Sequence, residues 1–219
     1  MSSATITTSA RLINSTPQTE EQAMVRKVAV SSFLGNFIEW FDYASYSYFA
    51  TTIALVFFPT DNHTVAMLQT FGVFALSFIL RPIGALFWGS YGDKKGRKAA
   101  LAHSIMFMSG ASFLIGCLPS YSVIGVGAPI LLLLLRMVQG FSASGEYAGA
   151  ATFLGEYAPT SKRGIYCSLI PASTAIGLLA GSTLATLMTA NMNSSAMVGW
   201  GWRVPFLLSA ILVIVGLVV

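Results

Sequence analysis

The sequence predicts an all-α membrane protein with six spanning helices, and three observations carry that reading. Charged residues are 9% of the 219, against about 25% in soluble proteins. Hydrophobic residues are 55% of the chain, with a mean hydropathy of +0.71. Long apolar stretches recur six times, separated by short connections. So few charges cannot cover the surface of a soluble domain. The same counts exclude a disordered chain, a collagen and a disulfide scaffold. The net charge of +4 reads as membrane topology rather than nucleic-acid binding, because basic and aromatic residues form no interleaved patch that would stack bases.

Residues 1–27 are expected to be a cytoplasmic tail, Ser- and Thr-rich and disordered over 1–23, and residues 28–219 the transmembrane unit. The spans fall near 28–58, 65–91, 99–118, 129–156, 165–190 and 204–219. Each of the first five reaches the ~20 residues that a bilayer requires. The sixth has 16 residues up to Val219, a rise of roughly 24 Å, and is expected to be cut short of the ~30 Å hydrocarbon core. Glycine and proline within these runs are compatible with membrane helices, whose neighbours re-satisfy the freed backbone groups. The connections alternate in charge. Arg11, Arg26, Lys27, Lys94, Lys95, Arg97, Lys98, Lys162 and Arg163 fall on one side, and Arg203 alone on the other. The positive-inside rule then places both termini in the cytoplasm. Trp200 and Trp202, just before the sixth span, are expected in the aromatic belt at the outer interface. The first apolar run is too long for a signal-peptide h-region and no small-residue cleavage site follows it. The sequons at Asn14, Asn62 and Asn193 read as chance. Cys117 and Cys167 lie a membrane apart, as do His63 and His103, so neither a disulfide nor a shared metal site is expected, and no cofactor is implied.

Five ionisable residues fall inside the spans: Glu39, Asp42, Arg81, Arg136 and Glu146. Such charges each oppose insertion by at least ~2.5–3.5 kcal/mol, so they are paired or functional. From 1.5 Å of rise per residue, Glu39, Arg81 and Glu146 come out roughly 12–16 Å above the cytoplasmic ends of their spans and can meet near the midplane. Asp42 and Arg136 lie nearer the outside and can form a second pair. Ser32, Asn36, Glu39, Tyr43 and Tyr46 follow helical spacing and form a polar stripe, with Asp42 a turn from Glu39,. On the fourth span Gln139 and Glu146 share a face, with Arg136 one turn away. Both stripes are expected to line a wet cavity, because a lipid-facing stripe would be costly. Two arginines against three carboxylates leave one negative charge over, and a carboxylate without a partner there can carry a proton. The residues alone therefore point to a proton-coupled carrier.

Small residues set the packing. Gly145 and Gly149, and Gly177 and Gly181, form G-x-x-x-G pairs that permit close helix crossing,. The second cytoplasmic connection runs Gly89-Ser-Tyr-Gly-Asp93-Lys94-Lys95-Gly96-Arg97-Lys98. It resembles the signature between helices 2 and 3 of the major facilitator superfamily, departing from it at Tyr91 and Gly92. Arg136-Met-Val-Gln139-Gly140 is similar to the R-x-x-Q-G motif of that superfamily's fourth helix. The segments 35–42, 81–84, 140–147 and 200–206 resemble the metabolite:H+ symporter family, which includes proline/glycine betaine, 2-oxoglutarate, citrate and shikimate carriers. The Gly-Glu-Tyr-x-Gly-Ala form on the fourth span looks most like the osmoprotectant branch.

The resemblance covers roughly residues 28–219 and implies the N-terminal half of a twelve-helix carrier of the bacterial inner membrane, itself a 3+3 inverted repeat. It implies symport of protons with a small zwitterion or organic acid, proline/betaine-like substrates being favoured, with Glu39, Asp42, Arg81, Arg136, Gln139 and Glu146 as the substrate and coupling residues. Gly89, Asp93, Gly96 and Arg97, beside Glu156 and Arg163, are expected to form a cytoplasmic gate. The expected partners are the solute, protons and the lipid bilayer, with no nucleic acid; the second wall of the cavity would come from a C-terminal half or from a second copy. Two other readings stay open on the sequence: a remnant that does not transport, and an oligomeric six-helix channel or scaffold.

Overall fold

Apolar runs in lipid must satisfy their own backbone, which leaves helices as the only element for this sequence pattern. A computed structural model of the chain describes residues 16–145, 151, 154–155 and 158–209. Every regular element among them is helical. In order they are α1 (Thr16–Tyr48), α2 (Ala50–Phe57), α3 (His63–Ile79), α4 (Arg81–Lys95), α5 (Arg97–Cys117), α6 (Tyr121–Ile124), α7 (Gly127–Ala143), α8 (Arg163–Asn191), α9 (Ser194–Gly199) and a 3-10 turn, Gly201–Arg203. Residues 204–209 continue as helix. The first span is thus α1 with α2, the second α3 with α4, the third α5 and the fifth α8; α7 opens the fourth and 204–209 the sixth. Of the described helices, His63–Lys95, Ala99–Cys117 and Arg163–Asn191 are long and apolar enough to cross a membrane.

Helix α1 begins at Thr16, so residues 16–27 of the expected tail are helical, including 16–23, which composition marks as disordered. The reason is tertiary for its second half: Val25 and Ala29, one turn apart, are buried against Leu154, Ala158 and Ile170. The break between α3 and α4 follows from Pro82, which has no N–H to continue the ladder. The amide of Leu80 turns back to Phe78 O instead, and regular bonding resumes with Gly84 N donating to Leu80 O at 2.8 Å. Gly96 ends α4 with φ of +94°, a backbone state that side chains disfavour. Asn62 caps α3, its Oδ1 accepting from Thr64 N at 3.0 Å and Val65 N at 3.3 Å.

The spans pack through small residues. A Cβ at Gly177 would stand 2.6 Å from Phe37 O, and one at Gly181 2.7 Å from the Ala44 Cβ, so the G-x-x-x-G pair of α8 is the seam with α1. Gly145 lies against Trp88 in the same way, at 2.8 Å; Gly149, Glu146 and Glu156 lie outside the described residues. The largest apolar cluster fills the end that carries the first, third and fifth connections, with Phe49, Ile53, Phe57, Ile115, Leu132, Trp202 and Phe206 at its centre. Trp202 corrects the aromatic-belt expectation. The 3-10 turn carries it inward, where it is fully buried, its ring 5.2 Å from that of Phe57. Trp200 remains outside, 57% exposed. Arg203 closes this end, its Nη1 donating to Gly116 O at 2.9 Å and Leu118 O at 2.5 Å, the free carbonyls at the end of α5,.

Candidate functional site

Two carboxylates three residues apart on α1 face two arginines from different spans. The break at Leu80 sets Arg81 at the head of α4, beside the middle of α1. Its Nη2 donates to Glu39 Oε1 and to Tyr43 Oη. The guanidinium also lies over the Phe78 ring, 4.5 Å from its centroid, and 5.3 Å from that of Tyr43. Tyr43 continues into an aromatic panel with Trp40, Phe74 and Phe78, ring centroids 5.5–5.8 Å apart. The arrangement is open on one side: the Glu39 side chain is 3% exposed and the Arg81 side chain 28%.

The second pair is enclosed. Arg136 Nη1 donates to Asp42 Oδ2 at 2.6 Å. Gln139 Nε2 donates to the same oxygen at 3.3 Å and to Ser112 Oγ of α5 at 2.6 Å. The Arg136 guanidinium lies 3.9 Å from the Tyr46 ring centroid and 5.4 Å from that of Phe206. Arg136 is 0% and Gln139 2% exposed. Charge, hydrogen bonds and a cation–π stack thus converge at a buried point, where Asp42 Oδ1, Arg136 Nε and Nη2 and Gln139 Oε1 have no partner among the described residues,.

The expectation that the two polar stripes line one wet cavity is corrected here. Ser32, Asn36, Glu39, Tyr43 and Tyr46 are all buried within the bundle. Asn36 Nδ2 reaches α8, at Ile170 O (3.1 Å), Ser173 Oγ (2.8 Å) and Thr174 Oγ1 (2.7 Å), where Pro171 interrupts the ladder. Tyr46 Oη donates to Thr70 O at 2.9 Å. Asn36, Glu39, Tyr43 and Tyr46 thus find partners on neighbouring spans, while Ser32 Oγ and Asn36 Oδ1 are buried with no partner among the described residues. Arg136 and Gln139 are likewise packed rather than water-lining. The spacing of the first span still brings Glu39 to Arg81 and Asp42 to Arg136; Glu146 lies outside the described residues.

Sequence reasoning passed over Ser112, Ser173 and Thr174. Ser104 and Ser112, eight residues apart and both buried, share one face of the third span, which was the available signal. At the opposite end of the bundle Gly89, Asp93 and Gly96 are exposed along the end of α4, and Arg163, also exposed, opens α8. The side chain of Arg97 and all of Glu156 lie outside the described residues.

Two carboxylate–arginine pairs, one enclosed and one half-open, thus lie between apolar helices, where charges are rare and are paired or functional,. Residues 27–219 match the family model described as sugar (and other) transporter, and the chain belongs to that family, within the major facilitator superfamily. Its members are transporters, not enzymes. The chain is 41% identical over 197 residues to a proline/betaine transporter of Escherichia coli (strain K12), covering 90% of this chain and 39% of the relative. It is 40% identical over 217 residues to an alpha-ketoglutarate permease of the same strain, covering 99% of this chain and 49% of the relative. It therefore spans about half, or less, of the length of the curated relatives it matches. Among solved structures the fold resembles the proton:xylose symporter XylE of E. coli, with a TM-score of 0.74 and 18% identity over 90% of this chain and 44% of that one.

Proposed function

We propose that the chain acts as a six-span half of a proton-coupled symporter for a small solute that bears a carboxylate, a zwitterionic osmolyte or an organic acid, with proline/betaine-like substrates favoured. One observation carries the reading: Glu39 and Arg81 form a buried ion pair that is open on one side only. An intramembrane pair of this kind suits cargo and protons, since a charge that served only to hold helices together would be enclosed, as at Arg136. The solutes named for the proline/betaine and alpha-ketoglutarate relatives share a carboxylate, the group that a guanidinium recognises best.

In this reading both termini face the cytoplasm of a bacterial inner membrane, since the basic connections gather at one end. A carrier works by rocking one half against another around a midplane site. The second wall comes from a further six-span unit or from a second copy. Asp93, Arg97, Glu156 and Arg163 act at the cytoplasmic end as a gate, biasing a two-state equilibrium rather than binding cargo.

The test is uptake of labelled glycine betaine, proline and 2-oxoglutarate into proteoliposomes under an imposed proton gradient. The chain is reconstituted alone and with the second half of the E. coli proline/betaine transporter. Saturable, gradient-driven accumulation by the pair, with little by the chain alone, is expected. Conductance that does not saturate would replace the carrier reading with a channel.

A further inference from the structure

The open side of the Glu39–Arg81 pair carries aromatic rings as well as a guanidinium. Trp40, Tyr43 and Ser47 share one face of α1 by helical spacing. Trp40 is half-buried and Ser47 exposed, so the bundle leaves this face partly uncovered. Tyr43 is the middle ring. Trp40 meets it edge-on with 5.8 Å between centroids, and Phe78 of α3 lies 5.6 Å away. The Arg81 guanidinium is 5.3 Å from the same Tyr43 centroid. A guanidinium and an indole that border one tyrosine can both touch a single small molecule. Helix α8 backs the indole, since a Cβ at Gly177 would stand 3.1 Å from the Trp40 Cβ.

The chemistry on offer has two ends. At one end Arg81 keeps donors free: Nη2 makes the contacts to both Glu39 and Tyr43, and the buried Nε has no partner among the described residues. A carboxylate is the matching ligand. At the other end the rings face positive charge. Arg81 itself lies 4.5 Å from the Phe78 centroid, while Trp40, the ring type that attracts cations most strongly, has no cation over it among the described residues. The acceptors between the two ends are engaged, because Glu39 Oε1 and Tyr43 Oη both accept from Arg81, and the Glu39 side chain is only 3% exposed. An ammonium that carries N–H groups would lose water here and gain no acceptor. One capped with methyl groups needs no acceptor and gains the ring faces. Charge adds a further constraint. Glu39 and Arg81 together are neutral, so a zwitterion leaves the site neutral. A dicarboxylate would bring two uncompensated negative charges between apolar helices.

We propose that Trp40 is the ammonium subsite of the solute site, and that the site selects a zwitterion whose ammonium is fully alkylated, of the glycine betaine type. The carboxylate binds the free donors of Arg81, and the quaternary ammonium lies on Trp40 with Tyr43 and Phe78 as side walls. This rests on the solute-carrier reading above and adds the second recognition group, the residue that supplies it and the class of solute it selects.

The experiment is calorimetric titration of the chain in lipid nanodiscs with glycine betaine, dimethylglycine, sarcosine and glycine, which keep the carboxylate and exchange one methyl group at a time for hydrogen. Proline, 2-oxoglutarate and choline complete the set. Affinity should fall at each step of the series, by about tenfold or more from betaine to glycine, the worth of a desolvated cation–π contact. Proline, which keeps two N–H groups, 2-oxoglutarate and choline should each bind more weakly than betaine. Trp40→Phe should keep the order of affinities, and Trp40→Leu should bring betaine and glycine to within about twofold of each other. Arg81→Gln should weaken the whole series alike. The wild-type series decides the matter if a variant fails to fold. Glycine binding as tightly as betaine would overturn the aromatic subsite, and 2-oxoglutarate binding more tightly than betaine would overturn the zwitterion; either result leaves a solute carrier standing. An unchanged methyl preference in Trp40→Leu would take the ammonium off Trp40. Choline binding as tightly as betaine would take Arg81 out of recognition. No binding of any compound in the set would remove both the subsite and a solute site on this chain.

Discussion

The two ion pairs on α1 use the same chemistry to different ends. Glu39–Arg81 and Asp42–Arg136 start three residues apart on one helix. The second is closed by Gln139, Ser112, Tyr46 and Phe206, while the first meets an aromatic panel on one side and is open on the other. What separates them is the number of spans that converge. Asp42 sits where α5, α7 and the start of the sixth span all reach α1. Glu39 sits beside the α3–α4 break, where a helix end replaces a continuous wall. An enclosed charge pair fixes helices in register, and a half-open one can change partners.

The largest effect should come from breaking the closed pair. Asp42→Asn leaves Arg136 as an uncompensated buried charge and should destabilise the chain by about 3–5 kcal/mol, whereas replacing both by apolar residues, Asp42→Leu with Arg136→Met, should restore most of the loss. Reversible unfolding in mixed detergent micelles measures both; a mild single variant would mean that the pair is hydrated after all. At Glu39 the order of effects reverses. Glu39→Gln should lower stability by only about 1 kcal/mol, since Arg81 keeps partial solvation, while abolishing gradient-driven uptake in the assembled carrier. Equal destabilisation at the two carboxylates would erase the distinction between the pairs. A finer test uses water-soluble thiol reagents. A cysteine at Phe78, on the open side, should label readily, and one at Gln139 should stay unlabelled; rapid labelling at Gln139 would reopen the closed pair. The smallest change should be at Asp93, where Asn should alter stability by ~0–1 kcal/mol yet lower turnover with little change in solute affinity. A selective loss of affinity would make the cytoplasmic cluster part of the solute site.

Much of this architecture was legible in the residues. Scarcity of charge and the six apolar runs determined an all-helical membrane bundle, because lipid leaves the backbone no other way to satisfy itself. The spacing of Glu39 and Asp42, and the depth of Arg81 and Arg136 in their spans, determined which charges could meet, because rise per residue converts position into height. The Gly177–Gly181 pair announced a close crossing without naming its partner, α1. Height and face do not reveal what stands opposite. Ser112 closing over Gln139, Asn36 reaching α8 at Pro171, and Trp202 turning from the interface into the core all depend on which spans become neighbours and how they rotate. The fold therefore decided that the polar stripe of α1 is mostly satisfied inside the bundle, and that Arg81, at a helix break, is the arginine left with an open face. Burial is a property of several chain segments at once, and no single segment's pattern encodes it.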